Sequence, residues 1–462
     1  MSSKAHMRDL AASDAGRAIV LLLNPERSAF NASFGLAKAL VAEGFRVIYA
    51  GPREWENYIT AQGLAYHAFK TAQFPAGFEA APLAPHRVFE RWRRARRTLE
   101  FFREEAEDHF AQCESLLREK SAKLVLLDPI VWTFALPVLK LGVPIVCFNT
   151  SLAACLDLRN PPVFSSLSPS CRLQQLKCAC NLIAWSAVLF PLYIRSLAME
   201  TTTRLMQIGV GAGAPSSVQA RIRKFGGKIC WSEFGRRPVA PELVASPIEF
   251  DFPRPAGERG RLYLGACIDV ARVDPDFDWS AFNPDKPFLY CSLGTYSGAY
   301  PHSRRLFRAV IDAMHVRTEW EAVIQVGDLA ESLTFCDAPS GIRVVKHAPQ
   351  LQMLARAKAF ITHGGLSSVR EAIYFGVPML VFPGWNDQPG NAARVVWHGL
   401  GLRGEMASVD ADVVIEMIDR LREPRFAQSL AKMQAAFRAQ ESCRAGVEFI
   451  KGVLAERADK IK

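Results

Sequence analysis

A histidine and two glycines, His363-Gly364-Gly365, separate a short apolar run, Ala359–Thr362, from a helical pattern that opens at Ser367. Strand, glycine turn and helix start in this order suit an anion. Bare backbone N–H groups and the positive end of the helix dipole point at one place. The glycines let the backbone come close, and the histidine adds a donor or a charge, so the pattern fits a nucleotide diphosphate. Ser368 and Glu371 stand at S-x-x-E spacing. That spacing is either a helix-capping box or a hydroxyl and a carboxylate offered to a ligand. Asp387-Gln388 follows another apolar run and Pro383-Gly384. Asp387 is either a helix N-cap or a partner for hydroxyls. Asp128 ends the apolar run Leu124–Leu127.

Between Lys346 and Gly401 the order is Ala348-Pro349-Gln350, Thr362-His363-Gly364-Gly365, Ser367-Ser368, Glu371, Gly376-Val377-Pro378, Asp387-Gln388-Pro389, Asn391-Ala392. This order resembles the donor-binding signature of the UDP-sugar-dependent glycosyltransferases. It is most similar to the bacterial zeaxanthin and macrolide enzymes. Weaker likeness runs over most of the chain from Val20. The resemblance implies an α/β architecture of two facing Rossmann-like domains (GT-B type), with a C-terminal helix crossing back to the first. It implies inverting, metal-independent transfer with no cofactor. The donor would be a UDP-sugar, glucose favoured and dTDP-sugars possible, and the acceptor a hydrophobic small molecule.

The resemblance also implies roles. His363, Gly364 and Gly365 would hold the diphosphate, where leaving-group charge grows. Ser368 would touch phosphate and Glu371 the ribose hydroxyls. Ser367 stands where many relatives have asparagine. His347 stands where plant relatives stack uracil on tryptophan. Gln350 would meet base or ribose, unless it merely opens a helix. Asp387 and Gln388 would bond the sugar hydroxyls, glutamine favouring glucose, and Asn391 would reach phosphate. Thr295, in Ser292-Leu293-Gly294-Thr295, sits in a turn near the diphosphate or in a plain strand-end turn.

The acceptor side departs from the pattern. Relatives carry a histidine after the first strand, oriented by an aspartate that Asp128 matches. Aligning Asn31 with their frequent asparagine puts Ala29 at the histidine position, with Ser28 beside it. Three readings follow. Asp128, alone or with another residue, acts as base; the acceptor is an anionic acid that needs no base, since a carboxylic acid has a pKa of about 4; or the chain binds a sugar nucleotide without transferring it. An epimerase of the same layout is the competitor from another class. Ser28, Phe30, Asn31, Trp132, Phe164 and Trp185 are candidates for an acceptor pocket, though each aromatic fits plain core as well.

Several motifs mislead. Asp274-Pro275-Asp276 and Asp276-Phe277-Asp278 match the metal-binding DxD of a different glycosyltransferase fold but lie in a connecting zone. Gly209-Val210-Gly211-Ala212-Gly213 imitates a dinucleotide fingerprint without a preceding strand.

The elements that must place these residues alternate. Strands are expected at Ile19–Leu23, Arg46–Ala50, Leu124–Leu127 and Ile145–Phe148, then at Phe288–Cys291, Val323–Val326, Arg343–Val345, Phe360–Thr362 and Met379–Phe382. Helical patterns, such as Ser33–Glu43, lie between them, which means parallel doubly wound sheets. A long helical pattern over 88–119 follows Arg87 and carries the arginines Arg91, Arg93, Arg94, Arg96 and Arg97, then acids from Glu100. It reads as a solvated helix with charge pairs along its face. With 462 residues, more than one core is expected. The division is an acceptor domain over 1–250, a connection over 251–287, a donor domain over 288–423 and a helical tail over 424–462.

A net charge of +10 without a nucleic-acid motif excludes that partner class. Eleven cysteines without paired ligand spacing read as reduced thiols, and no signal-peptide pattern opens the chain. A cytoplasmic location follows as the expectation. Residues 182–194 are too short to span a bilayer, which needs about 20. They read as a pocket wall, with a membrane-touching surface as the alternative.

Overall fold

A computed structural model describes residues 18–69, 107–152, 159–169, 180–187, 189–191, 193–194, 218–232, 235–253, 260–331, 341–439 and 443–461. The arginine cluster Arg87–Arg97 and the glycine-rich run Gly209–Gly213 lie outside them, as do Cys171 and Cys178.

Two parallel sheets organise the chain. The first has β1 (Ala18–Leu22), β2 (Arg46–Gly51), β3 (Ala65–Ala68), β4 (Ala122–Leu127), β5 (Ile145–Asn149), β8 (Glu242–Val244) and β9 (Arg261–Tyr263) in the order β3-β2-β1-β4-β5-β8-β9. The second has β10 (Phe288–Ser292), β11 (Glu321–Gln325), β12 (Ile342–Val345), β13 (Ala359–Thr362), β14 (Met379–Val381) and β15 (Gly401–Arg403) in the order β12-β11-β10-β13-β14-β15. Strands such as AIVLL (β1) and FLYCS (β10) are buried along their whole length. A parallel sheet is covered by helices on both faces, so an apolar run without alternation is what such a strand requires. A hairpin of β6 (Ile229–Ser232) and β7 (Gly235–Pro238) stands apart from both sheets.

Each sheet reverses its strand order once, between β1 and β4 in the first and between β10 and β13 in the second. In doubly wound sheets the ligand crevice lies outside the carboxyl ends of the strands at that reversal. Leu22 pairs with Leu127 there, and Ser292 with Thr362. The residues just beyond those pairs are Asn24 to Glu26, Asp128, Leu293 to Thr295, and His363 to Gly365.

The first sheet extends beyond residue 250, because β9 pairs with β8. Part of the expected connection therefore belongs to the first sheet. Two further contacts join the halves. Arg370 donates to the carbonyls of Ala245 and Ala266. Arg394, fully buried, pairs with Asp251 at 2.8 Å and lies over the Phe252 ring.

Two helices, Pro424–Ala439 and Cys443–Ile461, end the chain. Gln434 bonds the Tyr374 carbonyl of the second half. The last helix returns to the first half, where Val447 and Ile450 join the cluster of Leu36, Leu40 and Leu264. Its Lys451 reaches Glu43 at 2.7 Å. The C-terminal helix crosses back, as the resemblance implied.

Among the described residues, no helix is long and apolar enough to cross a membrane. The stretch around 182–194 is not the expected pocket wall. Leu182, Ile183, Phe190, Tyr193 and Ile194 are exposed, while Asn181 and Trp185 are buried.

Candidate active site

The turn after β13 is shaped by backbone requirements. Gly364 has φ +86°, and a Cβ there would stand 2.7 Å from Val381. Only glycine meets both the left-handed conformation and the close approach. Gly365 is the N-cap of the helix Leu366–Phe375, whose first turn faces the same mouth. Gly294, in the turn after β10, has φ +75°, and a Cβ there would sit 2.8 Å from the His363 ring. The two switch-point turns of the second sheet are therefore packed against one another through His363.

His363 also lies against Tyr300, ring centroids 5.7 Å apart. Burial pushes its pKa down to about 4, against a weaker opposing hydrogen bond with the Ser292 backbone. It is neutral at pH 7. A neutral imidazole can offer a ligand a hydrogen bond but no positive charge, and its Nδ1 is buried without a partner among the described residues.

The S-x-x-E pair is not a capping box. Neither Ser368 nor any other side chain caps the helix Leu366–Phe375. Glu371 is 4 % exposed. Its Oε1 accepts from Arg272 at 2.9 Å and its Oε2 from Gln350 at 2.5 Å. Gln350 also reaches Ser368 Oγ at 3.3 Å. Arg272 pairs with Asp274 as well, which accounts for the first carboxylate of the DxD-like run. Sequence reading missed Arg272. Its guanidinium also stands 2.8 Å from the Asn31 amide oxygen of the first half, once that amide is oriented to accept. Each carboxylate oxygen of Glu371 keeps a second lone pair for a ribose hydroxyl. His347 is exposed beside this group, its pKa lowered by desolvation and by Arg27 and Lys346. Ser367 bonds across the cleft to the Ser28 carbonyl at 3.2 Å. Thr295 is exposed at the cleft mouth.

The loop after β14 behaves differently from the expectation. Gln388 is buried, with its Oε1 accepting from the Gly384 and Trp385 amides and its Nε2 donating to Tyr300 at 2.8 Å. Its Oε1 is fully used in folding the loop, and only the second N–H of Nε2 is left for another partner. Asn391 is fully buried and donates to the Gly364 carbonyl at 2.9 Å and to Asp387 at 3.2 Å. It braces the glycine turn instead of reaching phosphate itself. Asp387 stays half-buried at the mouth. Desolvation raises its pKa, partly offset by the Asn391 hydrogen bond. It does not cap its helix through its side chain.

Across the cleft, Asp128 is 1 % exposed. Its carboxylate accepts from the Ile130 amide at 2.9 Å, capping the short helix Pro129–Phe134, and from the Asn24 amide at 3.4 Å. Burial pushes its pKa up to about 7, with Glu26 adding repulsion. So placed, it is almost closed off from solvent. Glu26 is the N-terminal flank of the helix Arg27–Ala42 and is half-buried at the cleft.

The expected pocket residues divide. Trp132 and Phe164 are half-buried, Ser28 is exposed, and Asn31 meets Tyr58 at 2.5 Å. Phe30 is core, packed on Trp55 at 5.0 Å. Trp185 is 2 % exposed and donates to the Asn160 carbonyl, so it anchors the fold and lines no opening.

Residues 309–447 match the family described as "Erythromycin biosynthesis protein CIII-like, C-terminal domain". The chain is 25% identical over 432 residues to the zeaxanthin glucosyltransferase of Pantoea ananas, covering 91% of this chain and 92% of that one. It is 24% identical to the 4'-demethylrebeccamycin synthase of Lentzea aerocolonigenes over 77% of this chain and 79% of the other. Among solved structures, a glycosyltransferase of kitacinnamycin superposes with a TM-score of 0.68 at 19% identity, over 95% of this chain and 99% of its own. The glycosyltransferase VinC in complex with dTDP superposes at 0.63 and 18% identity, over 96% and 100%. These likenesses place the fold in the GT-B class.

Proposed function

Because the chain belongs to the UDP-sugar-dependent glycosyltransferase family, and is a glycosyltransferase, we propose that it moves a hexose, glucose preferred, from UDP to a hydrophobic small molecule with inversion. One observation carries this reading. The glycine turn holding His363 and the acidic turns of the first half face one crevice from the two strand-order reversals. A diphosphate fits at Gly364, Gly365 and the start of the helix Leu366–Phe375, with His363 as neutral donor and Thr295 at the rim. Ser368, Gln350 and Glu371 suit the nucleoside, with His347 as a stacking surface. Asp387 suits the sugar hydroxyls, held in place by Gln388 and Asn391. Asp128 acts through the Asn24 amide. The donor needs no metal, because helix amides supply the anion site. A glucosyltransferase among the relatives and a dTDP complex among the structural neighbours support glucose and leave dTDP-sugars as the runner-up donors.

Thermal shifts with UDP, dTDP and GDP test the donor. Ligand at 100 times its Kd stabilises by about 2.7 kcal/mol. Glycoside formation from UDP-glucose, with and without chelator, on a panel of hydrophobic alcohols, phenols and carboxylic acids then tests the reaction. No shift with any of the three nucleotides, together with no transfer, defeats the reading. The missing histidine keeps an acidic acceptor as a second reading, and turnover confined to carboxylic acids would favour it.

A further inference from the structure

The histidine that relatives place after their first strand is absent here, and Ala29 at its position is buried. Three residues earlier the chain puts a carboxylate at the same mouth. Glu26 precedes the helix Arg27–Ala42, and its backbone is tied back to Asn24 by a 2.7 Å hydrogen bond. Its side chain caps no helix amide. The groups facing it come from both halves of the molecule. From its own side, Asn24 and Ser28 hydrogen-bond the carboxylate, Ser28 Oγ lying 3.5 Å from Oε2, and Asp128 repels it. From the donor side, Tyr296 and Asp387 face it, and Asp387 repels it. Glu26 is thus a first-half carboxylate that faces both the turn after β10 and the loop expected to hold the sugar. Asp128, one residue past β4, is enclosed, but its carboxylate bonds the amide of Asn24, whose side chain in turn bonds Glu26.

Resting on the glycosyltransferase reading above, we propose that Glu26 is the catalytic base, with Asp128 as a positioning residue that acts through Asn24. As the acceptor oxygen bonds to the anomeric carbon, its proton passes to a Glu26 carboxylate oxygen. The bond from the anomeric carbon to the diphosphate oxygen breaks, and its electron pair leaves on the nucleoside diphosphate. Glu26 then returns the proton to solvent. Burial and Asp387 raise the basicity of Glu26, which suits a base working near neutral pH.

The test uses full-length protein, UDP-glucose, and a panel of substituted phenols and benzyl alcohols of graded acidity. Glu26→Gln should lower kcat on benzyl alcohols by about 10²–10⁴-fold, and the loss should shrink as the acceptor becomes more acidic. The UDP thermal shift and the apo melting temperature should stay as in the wild type. Glu26→Asp checks for misfolding and should retain intermediate activity with the same trend. Asp128→Asn should shift the alkaline or acidic limb of the kcat profile without abolishing turnover. Retention of kcat within a few-fold by Glu26→Gln, or an equal loss on acceptors of every acidity, overturns the assignment while leaving the transferase reading intact. A wild type that binds no nucleotide and glycosylates nothing removes both together.

Discussion

The two strand-order reversals share one topology and carry opposite chemistry. Beyond β10 and β13 stand glycines, a neutral histidine and a helix start, a surface that accepts negative charge. Beyond β1 and β4 stand Glu26 and Asp128, two carboxylates whose pKa values are raised by burial. A sugar nucleotide laid between them would put its diphosphate on the first surface and the proton to be removed on the second. On the proposed reading, the fold separates a site for leaving-group charge from a site for proton uptake.

On the donor side of this contrast, the largest break is expected from His363→Ala. It should abolish the UDP thermal shift and lower kcat by about 10²–10³-fold, the cost of one donor at a developing charge. Because His363 is neutral well above pH 4, UDP binding by the wild type should be unaffected by its titration between about pH 6 and pH 8. An unchanged shift in the variant would remove His363 from the donor site.

Asp387→Asn comes next. It should cost about ten- to a hundredfold in transfer, the range for hydrogen bonds to a charged group, while UDP alone binds as before. If UDP affinity falls equally, Asp387 supports the turn instead of the sugar. Gly294→Ala should be milder. The added methyl meets His363, and the left-handed φ costs about 1–3 kcal/mol. Isothermal titration should show UDP binding roughly tenfold weaker, and wild-type affinity would separate the two turns.

The smallest effect is a change of slope in stability against pH. A carboxyl whose pKa is raised to about 7 in the fold stabilises the folded state fully below its unfolded value near 4. That contribution is lost as pH rises through about 7. His363 acts in the other direction. Its lowered pKa contributes stability above about 6.5, which is lost as pH falls towards about 4. Urea midpoints of Asp128→Asn should therefore decline less than wild type between about pH 4 and pH 7. An unchanged decline would mean that another group carries it.

Much of this arrangement was legible from residue order. Buried parallel strands advertise themselves as unbroken apolar runs, so β1, β4, β10 and β13 were readable within a residue or two. The short strands β3, β9 and β15 were not, because three or four residues carry no period. The histidine–diglycine turn was readable because a left-handed glycine before a helix leaves a residue-level mark. Glu26 was passed over, although it stands only three residues before Ala29, where a histidine was sought and not found. Trp185 and Gln388 were misassigned for the opposite reason. A tryptophan or glutamine near a cleft has the right chemistry for a ligand, and only the neighbours Asn160, Gly384 and Tyr300 reveal that its polar atoms are already engaged.

The chain alone determined the two sheets, the histidine–diglycine turn and the lack of the usual histidine, since each is written in neighbouring residues. Tertiary structure decided which side chains remain free to act. Hydrogen-bond partners such as Arg272 for Glu371, or the Asn24 amide for Asp128, lie about a hundred residues away in sequence. Contacts at that separation follow from packing and leave no local pattern.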